Sequence, residues 1–131
     1  GDPAAAARPL RILLVEDHAD TARVMGRVLR TFGHDVATAD SVGAALETAD
    51  AAADGFDVVI SDVGLPDGTG HDLMRQLLAR FAGVRGIALT GYGTDDDVRR
   101  SGDAGFVAHL TKPVDVRELE ETIHRVARGG G

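Results

Sequence analysis

Hydrophobic and polar positions follow two patterns along this chain, one typical of β-strands and one of α-helices. Together they predict ten secondary-structure elements. Five short apolar or alternating runs are typical of β-strands and cover residues 11–15, 35–39, 57–61, 86–90 and 105–110. Five segments are helix-like, over 19–32, 41–53, 73–81, 94–102 and 116–127, and all but 94–102 repeat apolar residues at helical spacing. The run 35–39 is the most polar of the strands, which predicts an edge position.

Strict alternation of strand and helix predicts the fold class. A chain of this pattern forms an α/β fold with a parallel sheet, right-handed crossovers and helices on both faces. The helix at 94–102 has Val98 as its only large apolar residue, so we expect it to pack weakly and to move at low cost. The last helix has a good N-cap in Asp115, with Glu118 three residues later.

Composition narrows the possible functions. At 131 residues the chain fits one domain, and its net charge of -7 argues against a nucleic-acid surface and suits cation binding. There is no cysteine, which predicts a cytoplasmic location without disulfides. No apolar run approaches the ~20 residues that a membrane crossing needs. We expect residues 1–9 to be a linker or an expression remnant and residues 129–131 to be a flexible tail.

Polar residues that could take part in binding or catalysis follow the predicted strands. In a parallel sheet they meet at the carboxyl edge, where ligands bind. Three carboxylates there would repel one another unless a cation offsets them, and an all-oxygen cluster suits Mg²⁺. A lysine and a threonine hydroxyl could hold a phosphoryl oxygen, so the set predicts phosphoryl transfer onto an aspartate. The residues are Glu16 and Asp17, Asp62, Thr90 with Gly91, and Lys112 with Pro113.

Four blocks in order carry a resemblance to a known family. They read ILLVEDH, DVVISDVGLPDGTG, IALTGYG and AGFVAHLTKP, and the resemblance covers residues 11 to 127. The chain resembles the receiver domain of two-component response regulators. Within that family its motif sequences are most similar to those of receivers in hybrid sensor histidine kinases. The resemblance implies a flavodoxin-like (βα)5 sandwich with strand order 2-1-3-4-5, here over residues 10–128.

The resemblance also implies a role for each site residue. Asp62 would accept the phosphoryl group from a phosphohistidine on a kinase or a histidine phosphotransfer domain. Mg²⁺ would be held by Asp62, Glu16, Asp17 and the backbone carbonyl of Gly64. Thr90 and Lys112 would bind phosphoryl oxygens, and the usual cis bond before Pro113 would aim Lys112. The surface around residues 94–127 would then switch.

Three further positions bear on the switching and on the acyl-phosphate lifetime that the resemblance implies. His109 stands where the family often has a switch tyrosine or phenylalanine, so its charge could couple switching to pH. Gly64 and Tyr92 occupy the places that set the acyl-phosphate lifetime in the family. The remaining histidines, His18, His34, His71 and His124, lack metal-ligand spacing and are predicted to be solvated, with His18 placed to touch a partner.

Several alternatives remain beside the leading interpretation. A stand-alone single-domain regulator and a receiver-like interaction module that no longer takes phosphate are both receivers in shape. A haloacid-dehalogenase hydrolase would need a second aspartate where Gly64 stands, and an FMN module would not place Glu16 and Asp17 at its phosphate loop. The domain itself would support only its own phosphorylation and dephosphorylation.

Overall fold

Five strands form one parallel sheet in the computed structural model, which describes residues 9–52, 54–91 and 93–128. The strands are β1 Arg11–Val15, β2 Asp35–Ala39, β3 Val58–Asp62, β4 Arg85–Thr90 and β5 Phe106–Thr111. They lie in the order β2-β1-β3-β4-β5, which confirms the predicted topology and the edge position of β2.

Five helices cover the sheet. They are α1 Ala19–Thr31, α2 Val42–Ala51, α3 Gly70–Arg80, α4 Asp95–Ala104 and α5 Val116–Ala127. All ten predicted elements are present, with most boundaries displaced by one to three residues. Asp115 accepts a hydrogen bond from the Glu118 backbone N–H at 3.0 Å, as the capping pattern predicts.

The core has two layers because alternate strand residues face opposite sides of the sheet. Ile12 and Leu14 face α1 and α5, whereas Leu13 and Val15 face α2, α3 and α4. All four of these side chains are fully buried. This double burial explains the near-continuous apolar composition of β1.

A short hairpin after β3 was not predicted from the sequence. Its strands are Gly64–Leu65 and Gly68–Thr69, between Asp62 and the start of α3. Asp67 in its turn accepts hydrogen bonds from the backbone N–H groups of Val42 and Gly43 at 2.7 and 2.9 Å. The hairpin therefore caps the start of α2 and fixes the segment that follows Asp62.

Two histidines contradict the prediction that they are solvated. His34 is only 8% exposed, and its Nδ1 accepts a hydrogen bond from the Leu10 N–H at 3.1 Å. His71 is half-buried, with its ring edge-on to Phe106 at a centroid distance of 6.3 Å. Both lie where helix or loop meets the sheet, a placement that sequence spacing does not reveal.

The two ends of the chain lie largely outside the described residues. Residues 1–8 and 129–131 lie outside the described ranges, so the predicted linker and tail stay predictions. None of the helices within the described ranges combines the length and apolar composition that crossing a membrane requires.

Candidate functional site

The predicted site residues meet at the carboxyl edge of the sheet. Asp62 and Thr90 are the last residues of β3 and β4, while Glu16 and Lys112 directly follow β1 and β5. Backbone hydrogen bonds hold these ends in place, from Glu16 N to the Ala39 carbonyl at 3.0 Å and from Lys112 N to the Thr90 carbonyl at 2.7 Å. Strand pairing alone therefore brings together groups that are nearly a hundred residues apart.

Lys112 bridges two carboxylates. Its Nζ lies 2.5 Å from Asp62 Oδ1 and 3.2 Å from Glu16 Oε1. The Lys112–Pro113 peptide bond is cis, as in the family that the chain resembles. The family resemblance implies the contact with Asp62, whereas the second contact with Glu16 was not predicted.

The acidic cluster combines buried and exposed groups. Glu16 and Asp62 are 1% and 6% exposed, whereas Asp17 and His18 are exposed. One ligand atom from each of these four residues lies within 4.8 Å of the others. His18 Nδ1 is 3.0 Å from Glu16 Oε2 and 3.3 Å from Asp17 Oδ1. His18 thus belongs to the cluster, and its adjacency to the acidic pair was the only sequence signal.

Burial and the contact between Asp62 and Glu16 give these two carboxyl groups very different pKa values. Burial, followed by a hydrogen bond with Glu16, raises the pKa of Asp62 to about 6 despite the opposing effect of Lys112. Burial also acts to raise the pKa of Glu16, but hydrogen bonds with Asp62, His18 and Lys112 outweigh it and lower that pKa to about 2. The pair thus keeps Glu16 ionised while Asp62 holds a proton more readily.

The charge balance fits a divalent cation. Three carboxylates face a single lysine, so one positive charge cannot offset them all, and burial with the contact to Glu16 raises the pKa of Asp62. Their oxygens are the donors that Mg²⁺ prefers, and the exposed position of Asp17 leaves room for water ligands. The residues present therefore fit the metal that the acidic pattern predicts.

Thr90 supplies an unused donor next to this cluster. Its side chain is buried, and Oγ1 has no hydrogen-bond partner among the described residues. It lines a cavity of about 190 Å³ together with Gly64, Gly91 and His71. A buried hydroxyl without a partner is costly, so the arrangement favours an oxygen ligand at this position.

Two of the three predicted tuning positions, His109 and Gly64, lie within the described residues. His109 is half-buried in β5, beside Ala88 of β4. Gly64 begins the hairpin two residues after Asp62. Tyr92 lies outside the described residues.

An open parallel sheet with an acidic cluster, one lysine and one free hydroxyl at its carboxyl edge defines a class of signalling domain that acts through an aspartate. The sequence model described as "Response regulator receiver domain" matches residues 12–124. The chain belongs to this family and is a receiver domain of two-component signalling.

Curated relatives include regulators and kinases. The response regulator protein FleR of Pseudomonas aeruginosa is 32% identical over 119 residues, which are 91% of this chain and 25% of FleR. The sensor kinase CckA of Brucella abortus is 35% identical over 114 residues, covering 86% of this chain and 12% of CckA. The chain thus spans a quarter or less of the length of these two relatives.

Solved structures agree in fold. A CheY-like receiver domain protein from Methanospirillum hungatei is 28% identical, with a TM-score of 0.83 over 95% of this chain and 100% of that one. A receiver domain protein from Clostridium thermocellum is 27% identical, with a TM-score of 0.84 over 91% of this chain and 94% of that one.

Proposed function

We propose that Asp62 accepts a phosphoryl group from a phosphohistidine of a histidine kinase or phosphotransfer protein. An Asp62 carboxylate oxygen forms the new P–O bond as the P–N bond to the imidazole breaks, and the released imidazole takes up a proton. The observation that carries this proposal is the position of Asp62, buried at a strand end with Lys112 Nζ 2.5 Å away.

The neighbouring residues would bind the transferred phosphoryl group and the metal ion. Lys112 neutralises a phosphoryl oxygen, and the unpartnered Thr90 hydroxyl donates to another. Glu16, Asp17, Asp62 and the Gly64 carbonyl would hold Mg²⁺, which supplies the positive charge that offsets the carboxylates and the transferred group. Moving Lys112 from Asp62 to the phosphoryl group would pull on β5, where His109 lies, and so alter the surface around residues 94–127.

The relatives and the sequence motifs support a proposal for the wider setting. We place the domain in the cytoplasm, as a receiver of a hybrid sensor histidine kinase. The match to CckA supports that setting, while the match to FleR keeps a separate response regulator as the second candidate.

The test is phosphorylation by a small phosphodonor. The protein is incubated with Mg²⁺ and acetyl phosphate, and its intact mass is measured beside Asp62→Asn and the control Asp103→Asn, an exposed aspartate at the end of α4. We expect one phosphoryl adduct on the parent and on Asp103→Asn, and none on Asp62→Asn.

An unmodified parent protein, or an equal adduct on Asp62→Asn, would refute the proposed acceptor. Omitting Mg²⁺ or replacing Asp17 by Asn should greatly slow adduct formation. Unchanged rates in both cases would contradict the metal role while leaving the acceptor role intact.

A further inference from the structure

A second cleft lies at the amino ends of the strands, on the opposite edge of the sheet from Asp62. It has a volume of about 530 Å³. Strands of five residues separate the two edges by roughly 15 Å. The charged and titratable residues that line the cleft are Arg11, Arg85, Arg128, His34, His124 and Asp57.

The cleft carries local positive charge on an acidic protein. Arg11 Nη1 is paired with Asp54 Oδ2 at 2.8 Å. No ion pair within the described ranges involves Arg85 or Arg128, so their guanidinium groups are available to a ligand. Among the described residues that line the cleft, Asp57 is the one carboxylate, and its Oδ2 accepts the backbone N–H of Arg11 at 2.8 Å.

His34 adds an independent observation, a buried N–H donor without a partner among the described residues. Its Nδ1 accepts the Leu10 N–H, so the proton of the neutral ring resides on Nε2. Burial, together with the nearby His124, lowers the pKa of His34, which keeps the ring neutral despite Glu120 nearby. Nε2 is buried and has no partner within the described ranges. A buried donor of this kind is costly unless an acceptor reaches it.

We propose that this cleft binds a small oxyanion carrying phosphate or carboxylate groups. Arginine forks bind such groups through paired, charge-assisted hydrogen bonds, and His34, which also lines the cleft, has a neutral N–H donor without a partner among the described residues. A bound anion would link Leu10 at the start of β1 to Arg128 at the end of α5. The site goes beyond the proposed phosphoacceptor function and uses none of its residues.

Titration followed by two-dimensional NMR tests the site without any phosphodonor or Mg²⁺. Pyrophosphate and citrate serve as the phosphate and carboxylate probes. We expect saturable shifts of the Leu10, His34 and Arg85 backbone signals with at least one probe, and comparison of the two identifies the favoured class.

Matched variants test which residues of the cleft strengthen or weaken anion binding. Arg85→Gln should weaken binding roughly tenfold or more, since it removes charge-assisted hydrogen bonds. The same change at Arg75, an exposed residue of α3 paired with Asp72, should leave binding unchanged. Asp57→Asn should tighten binding, because it removes the one negative lining charge and keeps an acceptor for Arg11 N–H.

No saturable shift with either probe would overturn the proposal. Equal affinities of the Arg85 and Arg75 variants would overturn it too, provided that both give well-dispersed spectra. Because no phosphodonor is present, these outcomes are independent of whether Asp62 accepts a phosphoryl group.

Discussion

Lys112 is the only lysine among the fourteen Lys and Arg residues of the chain. Its ammonium group contacts Asp62 and Glu16 at once, at 2.5 and 3.2 Å. An ammonium is compact and can donate in three directions, whereas a guanidinium is larger and donates in a fixed plane. The geometry therefore gives a physical reason for lysine at this position.

Lys112→Arg should keep the charge and lose the conformational response. The planar fork cannot reproduce both contacts in the same space, so the link between the phosphoryl group and β5 should fail. We expect the phosphorylation-dependent NMR shifts near Thr90 and His109 to disappear. Arg117→Lys, on the exposed face of α5, is the converse exchange and should change nothing. Parent-like shifts in Lys112→Arg would show that charge alone suffices.

At the scale of elements, the neighbouring helices α3 and α4 differ in how many large apolar side chains they bury. Helix α3 buries Leu73, Met74 and Leu77 against the sheet, but α4 buries only Ser101 and Ala104, and Val98 is half-buried. The predicted weak packing of α4 is therefore visible in the structure. Gly86 in β4 lets Met74 of α3 approach the sheet closely, because a Cβ at this position would overlap the Met74 sulfur and the Phe106 ring.

Two glycine-to-alanine changes should have opposite effects on stability. Gly86→Ala should lower the free energy of unfolding by about 1–3 kcal/mol through overpacking. Gly102→Ala, inside α4 with nothing near its added Cβ, should raise it by up to about 1 kcal/mol because alanine favours the helix. Urea denaturation measures both. A stabilising Gly86→Ala would mean that Met74 and Phe106 move aside at no cost.

The whole molecule separates its charged groups into two poles across one sheet. Carboxylates crowd the carboxyl edge, while arginines and histidines collect at the amino edge. Strand direction produces this separation, since residues before and after a parallel strand must lie at opposite ends. The acidic pole makes the stability of the whole fold depend on pH.

Without divalent cations, the free energy of unfolding should respond to the proton on Asp62. The folded-state pKa of about 6 lies above the ordinary value of 3.8, so the folded state holds this proton more tightly. Stability from this group is present at low pH and falls as pH rises from about 4 to about 6, by on the order of 3 kcal/mol.

Asp62→Asn should lack that contribution, so the parent should lose stability relative to the variant across this window. Urea denaturation at several pH values measures the difference. Mg²⁺ should reduce the fall, because a cation favours the ionised carboxylate. A pH-independent difference between the two proteins would show that the Asp62 proton does not contribute.

The sequence by itself determined the ten elements, the strand order through family resemblance, and the set Glu16, Asp17, Asp62, Thr90 and Lys112. These features depend on local periodicity and on residues that directly follow strands. It did not determine the surroundings of His34 and His71, the hairpin that caps α2, or the choice of Glu16 as the second partner of Lys112. Each of those depends on side-chain packing between segments far apart in the chain, and only the tertiary structure decides which groups meet.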